Sequence, residues 1–144
     1  KLRAPLVIVG KGPQEAQLRT LAGSTVEFRG WVTDEEMVGV YAGAKALIFP
    51  AIEEDFGMVP VEAMANGVPV IAYDSGGVHE TVLDEKTGVL FREYSTLGLT
   101  DGMCRLEELR FSCMALRRHI MQFSMKNFQK KMKTMITAIL KERN

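Results

Sequence analysis

Three carboxylates in succession, Glu53, Glu54 and Asp55, precede Phe56-Gly57, and a fourth, Glu62, follows Glu54 after seven intervening residues. Like charges this close repel one another. They stay ionised at low cost only where the hydroxyls of a ligand, or the free N–H groups at the start of a helix, offset them. A polyhydroxylated ligand suits such a place. Gly57 permits close approach of a ligand to the main chain, and the N–H groups that follow it can hold a diphosphate if a helix begins there. Glu62 then falls about one and a half turns into that helix and can face the same crevice. The residues have a plainer reading too, in which the acids offset a helix dipole and Glu62 lies on a solvated face. Taken alone, the residue types leave both open.

Other chemistry finds less support. No Asp-x-Asp occurs, so the metal-bridged diphosphate clamp built on that pair has no ligands here, and no metal is expected. Gly10-Lys11-Gly12 is part of a dinucleotide fingerprint whose third glycine would stand where Glu15 is. Ser75 lies in no nucleophile elbow. His79 reads as a turn histidine with a satisfied ring and His119, beside Arg117 and Arg118, as a solvated one. Cys104 and Cys113 are the only cysteines and lack the spacing of a zinc site, so two buried thiols in a reducing cytosol are expected.

The elements that must position the acidic run are legible in the hydrophobic pattern. Leu6 to Val9, closed by Gly10, predicts a strand buried on both faces of a parallel sheet. Pro13, Leu18, Leu21 and Gly23 outline the helix after it. Val26 to Val32 predicts a second strand, and Thr33-Asp34-Glu35-Glu36 a capping box opening a helix with Met37, Val40, Tyr41 and Ala44 on one face. Ala46 to Phe49, Val68 to Ala72 and Gly88 to Phe91 predict further strands, with a helix from Val59 to Ala65 ended by Asn66-Gly67. This alternation gives an α/β class, a Rossmann-like parallel sheet with helices on both faces and a ligand crevice at the carboxyl ends of its strands. Residues 97–142 lack strand signals and predict two or three helices packed back on the sheet. The last is capped by Ser124 and places Phe128, Met132, Met135, Ile136, Ile139 and Leu140 on one face, with Lys126, Lys130 and Lys133 mostly opposite.

At 144 residues, 47% hydrophobic and 25% charged, the chain has the composition of one globular domain. Eighteen basic residues balance eighteen acidic ones, which excludes nucleic acid as a partner drawn by overall charge. The balance hides an asymmetry. Residues 1–100 hold 8 Lys or Arg against 14 Asp or Glu, whereas residues 101–144 hold 10 against 4. No apolar run approaches a membrane span or a signal peptide, so a cytoplasmic protein is expected, with peripheral contact at the membrane's cytoplasmic face through the basic final helix as a rival use of that helix.

The run from Glu53 to Ala72, with Glu54 and Glu62, Phe56-Gly57 and Glu62-Ala63-Met64-Ala65, resembles the retaining glycosyltransferases of family four, whose two-Rossmann-domain architecture is called GT-B. Leu6 to Pro13, Val26 to Val32, Gly76-Gly77 with Glu80, Lys86-Thr87-Gly88 and Phe123-Ser124 resemble that family's donor-binding, carboxyl-terminal domain in the same order. The resemblance implies transfer of a hexose from a nucleoside diphosphate sugar to an acceptor hydroxyl with retention, in glycan biosynthesis. It gives Glu54 the donor hexose hydroxyls and Glu62 the ribose hydroxyls. The main chain of Phe56, Gly57, Met58 and Val59 would support the sugar and diphosphate, and the Val32 main chain the base. Gly10, Lys11 and Gly12 are further phosphate or base contacts. Trp31 is expected to pack at its strand end. The acidic run looks most like mannosyltransferase members, so GDP-mannose is the first donor and a UDP-sugar the second, with no other cofactor. The resemblance also implies a further strand and helix before Leu6, in the middle of the sheet, with Gly-Arg and Lys groups for the diphosphate, and an amino-terminal acceptor domain. Residues 1–144 would then be one donor-binding domain lacking its first strand and helix, with 97–144 as its helical end, inactive alone. The alternative is a non-catalytic nucleotide-binding or assembly module.

Overall fold

The computed structural model describes residues 4–142; Lys1, Leu2, Arg3, Arg143, Asn144 and the Glu142 side chain lie outside the described residues. The elements run β1 (Leu6–Val9), α1 (Glu15–Leu21), β2 (Val26–Gly30), α2 (Asp34–Gly43), β3 (Leu47–Phe49), α3 (Met58–Ala65), β4 (Val70–Tyr73), α4 (Val78–Thr81), β5 (Gly88–Phe91), α5 (Thr96–Glu108), α6 (Cys113–Ile120), a 3-10 turn (Met121–Phe123) and α7 (Met125–Glu142). Every strand pair is parallel. The α/β class is therefore as expected, but the strands form two sheets, β1-β2 and β3-β4-β5, and the chain divides into two compact units, Lys1–Val40 and Tyr41–Asn144.

In the first unit Leu6 lies opposite Val26 and Val9 opposite Gly30. Gly30 adopts φ +67 and ends β2 two residues before the expected Val32, because that left-handed conformation breaks the ladder. Its carbonyl accepts the Gly10 N–H at 2.6 Å, which joins the loops at the carboxyl ends of the two strands. β1 is not buried on both faces: Leu6 and Val7 are 38% and 37% exposed, since α1 buries no side chain and β2 is the one strand paired with β1 among the described residues. The capping box forms as expected. The Thr33 N–H donates to Glu36 Oε2 at 2.7 Å and the Glu36 N–H to Thr33 Oγ1 at 3.2 Å, and these bonds hold the Glu36 carboxyl below the usual range.

In the second unit Ile48, Ile71 and Val89 are in register across β3, β4 and β5, so their side chains share a face. α5 covers that face through Leu106, with Met103 and Leu99 partly buried beside it. Gly102 lets the helix come close, because a Cβ there would stand 3.2 Å from Ile71 Cγ2. Val70 and Ala72, both fully buried, turn to the opposite face, and α3 packs against β3 and β4. Helices thus cover both faces of the three-stranded sheet.

Two expectations about the helical end fail. Cys104 and Cys113 are free and exposed, because α5 turns Gly102 and Leu106 inward and α6 turns Leu116 inward. The last helix does not pack on the sheet: α7 has the 3-10 turn as its principal neighbour, and its apolar face is open. Ser124 caps it as expected, accepting the Asn127 N–H.

Candidate functional site

β3 ends at Phe49, and residues 50–57 turn the chain at the sheet's carboxyl edge into α3. The acidic run occupies this turn. Glu53 adopts φ +58, a left-handed conformation uncommon outside glycine, and its N–H donates to Ser75 Oγ at 3.4 Å. Glu54 is fixed twice: its Oε1 accepts the Gly57 N–H at 3.1 Å and its carbonyl accepts the Gly77 N–H at 2.6 Å. The half-buried Glu54 carboxylate is thereby aimed along the start of α3. Gly57 itself is buried at φ +79, a backbone state suited to glycine, and immediately precedes the helix.

The first turn of α3 suits an anion. Met58 and Val59 have no intrahelical acceptor for their N–H groups, and Pro60 has no N–H to leave unpaired. The far end of the helix is tied down instead, because Arg117 Nε donates to the Ala65 carbonyl at 3.0 Å and Cys113 Sγ lies 3.6 Å from the Gly67 carbonyl oxygen. A guanidinium at that end complements the helix dipole. Glu62 is exposed, and its charge, after burial as the larger cause, holds the Tyr41 hydroxyl above its usual range.

The glycine pair after β4 clamps the turn. A Cβ on Gly76 would lie 2.9 Å from the Glu54 nitrogen, and one on Gly77 would be 2.6 Å from the Asp55 carbonyl carbon and overlap its oxygen. Ser75, Gly76 and Gly77 thus set the path of Glu53 to Asp55. Their signal in the sequence is two adjacent glycines just past a strand, but no sequence rule says what those glycines face.

Behind the site, the Phe56 ring meets Phe123 edge to face at a centroid distance of 5.3 Å, and Phe123 meets His119 in the same way. His119 is half-buried and its Nε2–H donates to the Thr81 carbonyl at 2.8 Å, so it is not the solvated residue expected. His79 lies in α4 with Nδ1 2.9 Å from Asp74 Oδ1, a buried oxygen that makes no hydrogen bond among the described residues, so the satisfied ring expected of it is not seen. The Asp74 side chain is only 14% exposed, and its Oδ2 accepts from Arg92 Nε at 3.0 Å.

The second unit therefore brings Glu54, Phe56, Gly57, Met58, Val59 and Glu62 together on one turn and one helix. Gly10, Lys11, Gly12 and Val32 belong to the first unit. There the Lys11 side chain passes Gly30, its Cε 3.3 Å from where a Cβ would stand. Val32 lies just past the strand, half-buried, and Trp31 beside it is 73% exposed, not packed as expected.

The chain is 38% identical over 115 residues to a GDP-mannose-dependent alpha-(1-6)-phosphatidylinositol monomannoside mannosyltransferase of Mycobacterium tuberculosis, covering 72% of this chain and 30% of that protein. It is 41% identical over 69 residues to a D-inositol 3-phosphate glycosyltransferase of Nocardia farcinica, covering 48% and 15%. A glycogen synthase of Thermus thermophilus is 40% identical over 92 residues, covering 63% and 21%. The chain thus spans less than a third of the length of each of these relatives. Among solved structures it resembles the lipopolysaccharide outer core galactosyltransferase WaaB, with TM-score 0.84 and 20% identity over 93% of this chain and 40% of that one. It also resembles the sucrose-phosphate synthase of Thermosynechococcus elongatus, with TM-score 0.78 and 27% identity over 95% and 39%. The α/β architecture is that of one half of such glycosyltransferases. Residues 1–124 match the family model described as glycosyl transferases group 1, and the chain belongs to that family.

Proposed function

We propose that this chain supplies the donor-binding half of a retaining hexosyltransferase that moves mannose from GDP-mannose, or another hexose from a UDP-sugar, to an acceptor hydroxyl. The observation that carries this reading is the pinned Glu54, one oxygen on the Gly57 N–H and the other without a partner among the described residues, beside the open first turn of α3. In this reading Glu54 holds the hexose hydroxyls and Glu62 the ribose hydroxyls. The main chain from Phe56 to Val59 offsets the charge of the departing diphosphate. In the first unit, the Val32 main chain meets the base, and Gly10, Lys11 and Gly12 supply further phosphate or base contacts. A strand and helix before Leu6, bearing more cations for the diphosphate, and an acceptor domain complete the enzyme. Its place in this reading is the cytoplasm.

Isothermal titration of the 144-residue chain with GDP, UDP, GDP-mannose and UDP-glucose tests this. Each exposed helix N–H contact to an anion contributes about 0.3 to 1 kcal/mol, whereas each hydrogen bond to a charged group contributes about 1.5 to 3 kcal/mol. With two such cationic partners supplied elsewhere in the enzyme, binding weaker than about 100 μM is expected, GDP-mannose ahead of UDP-glucose, with no turnover. Submicromolar binding would mean that the diphosphate has a full set of partners here, and the division of labour would be wrong.

The reaction is expected to need no metal, because helix N–H groups and cationic side chains take the part of a divalent ion. Transfer by the complete enzyme should persist in EDTA. Complete loss that manganese or magnesium restores would refute this part of the reading.

A further inference from the structure

β5 is the last strand of its sheet: β4 pairs with one side of it, and no strand pairs with the other among the described residues. Alternate residues of a parallel strand turn their N–H and C=O groups to opposite neighbours. The Thr87 and Phe91 carbonyls accept from Val70 and Asp74 on the β4 side, so Gly88 and Leu90 present theirs to the outer edge. Such an edge is a template for another chain, and Gly88-Val89-Leu90-Phe91 has no charge or proline of its own to blunt it. Yet its polar groups are taken. The turn after Leu83, in which Glu85 adopts φ +61, lays Asp84 beside Gly88, and the Glu85 N–H donates to the Gly88 carbonyl at 2.8 Å. The Leu90 N–H donates to Asp84 Oδ1 at 2.9 Å, and the Leu90 carbonyl accepts from Arg105 Nη1 of α5 at 3.0 Å. Arg105 Nη2 in turn meets both Asp84 oxygens at 3.1 Å and Glu85 Oε1 at 3.2 Å.

We propose that Asp84 and Arg105 stand in for a neighbouring strand and bar the β5 edge to the same edge of a second copy of this chain. A strand added here would offer a carbonyl to the Leu90 N–H and an N–H to the Leu90 carbonyl. Asp84 and Arg105 supply that acceptor and that donor, and they bond to each other, so displacing one loosens both. A partly exposed ion pair contributes little by itself, which leaves the closing of the strand's polar groups as its main effect. A second copy is the partner shut out, because identical edges are self-complementary about a twofold axis. The closure is made within the second unit and does not rest on the transfer reading.

The test compares the 144-residue chain with Asp84→Ala plus Arg105→Ala, with each single alanine variant and with Asp84→Asn. Sedimentation velocity from micromolar to near-millimolar concentration reads association, and amide hydrogen exchange reads the Leu90 N–H. The double variant should associate at concentrations at least about tenfold lower than the parent, and its Leu90 N–H should exchange at least about tenfold faster when dilute and slow again as it associates. Asp84→Asn keeps an acceptor for Leu90 and should sediment like the parent. Circular dichroism shows whether each variant is folded. The single variants, each of which frees one group of Leu90, decide by the same two measurements if the double variant is not. A folded alanine variant that sediments like the parent at every concentration would make the pair only a tie between the turn and α5. Association of Asp84→Asn as strong as that of Asp84→Ala would trace the effect to lost charge and not to an opened edge. Either result overturns the proposal.

Discussion

Gly77→Ala should destabilise the second unit by more than about 3 kcal/mol, a value at the upper end of what overpacking costs. Gly77 has an ordinary φ of −77, so the backbone would accept alanine. The obstacle is steric: a methyl group there overlaps the Asp55 carbonyl oxygen and sits 3.2 Å from the Phe56 nitrogen, both main-chain atoms that no rotamer change can move. Relief requires the acidic turn to swing away, which breaks the Gly77 N–H to Glu54 carbonyl bond of 2.6 Å. Urea unfolding followed by circular dichroism measures the loss. Gly39→Ala in α2 is the control of opposite sign, because a Cβ there meets nothing within 4 Å and alanine favours the helix by up to about 1 kcal/mol. If Gly77→Ala unfolded at the same urea concentration as the parent, the two loops would not be clamped as described.

What the sequence disclosed and what it withheld divide along the range of the forces involved. The capping box at Thr33 and Glu36 and the boundaries of β5 are local events, decided by a hydrogen bond three residues long or a short apolar run, and they appear where expected. The α2 face of Met37, Val40, Tyr41 and Ala44 is likewise the protected one. Apart from β2, which ends early at the left-handed Gly30, and the division of the strands into two sheets, the failures concern what covers a surface. Leu6 and Val7 carry the pattern of a fully buried strand, but burial depends on neighbours the pattern does not specify. His119 stands between arginines and solvent on the sequence, yet the fold brings the Thr81 carbonyl from 38 residues away to within 2.8 Å. Cys104 and Cys113 follow a statistical tendency of cysteine to be buried, and a helix has only one inward face. In the candidate site the carboxylates and their spacing were legible. The clamp of Ser75, Gly76 and Gly77 was not, because it joins loops 22 residues apart that no period connects.

Glu54→Gln in the complete enzyme should lower the rate of sugar transfer by at least about a hundredfold, the scale seen when a group that stabilises a transition state is removed. The substitution is chosen so that the turn survives. A glutamine carbonyl can still accept the Gly57 N–H that Oε1 takes at 3.1 Å, and the Glu54 main chain still accepts from Gly77. What changes is the second oxygen, which becomes an amide nitrogen that cannot accept a hydroxyl proton, together with the loss of the negative charge. Hydrogen bonds from hexose hydroxyls to a carboxylate are charge-assisted and vary with charge building at the sugar, so their removal should fall on kcat more than on KM. Bare GDP lacks the hexose and should bind the variant within about tenfold of the parent, and loss of one repelling carboxylate could even strengthen it slightly. Paired transfer assays and GDP titrations separate the two effects. If GDP affinity collapsed along with transfer, Glu54 would be holding the turn or the diphosphate instead of the sugar, and Glu62, exposed four residues beyond the start of α3, would be the next carboxylate to test by the same pair of measurements.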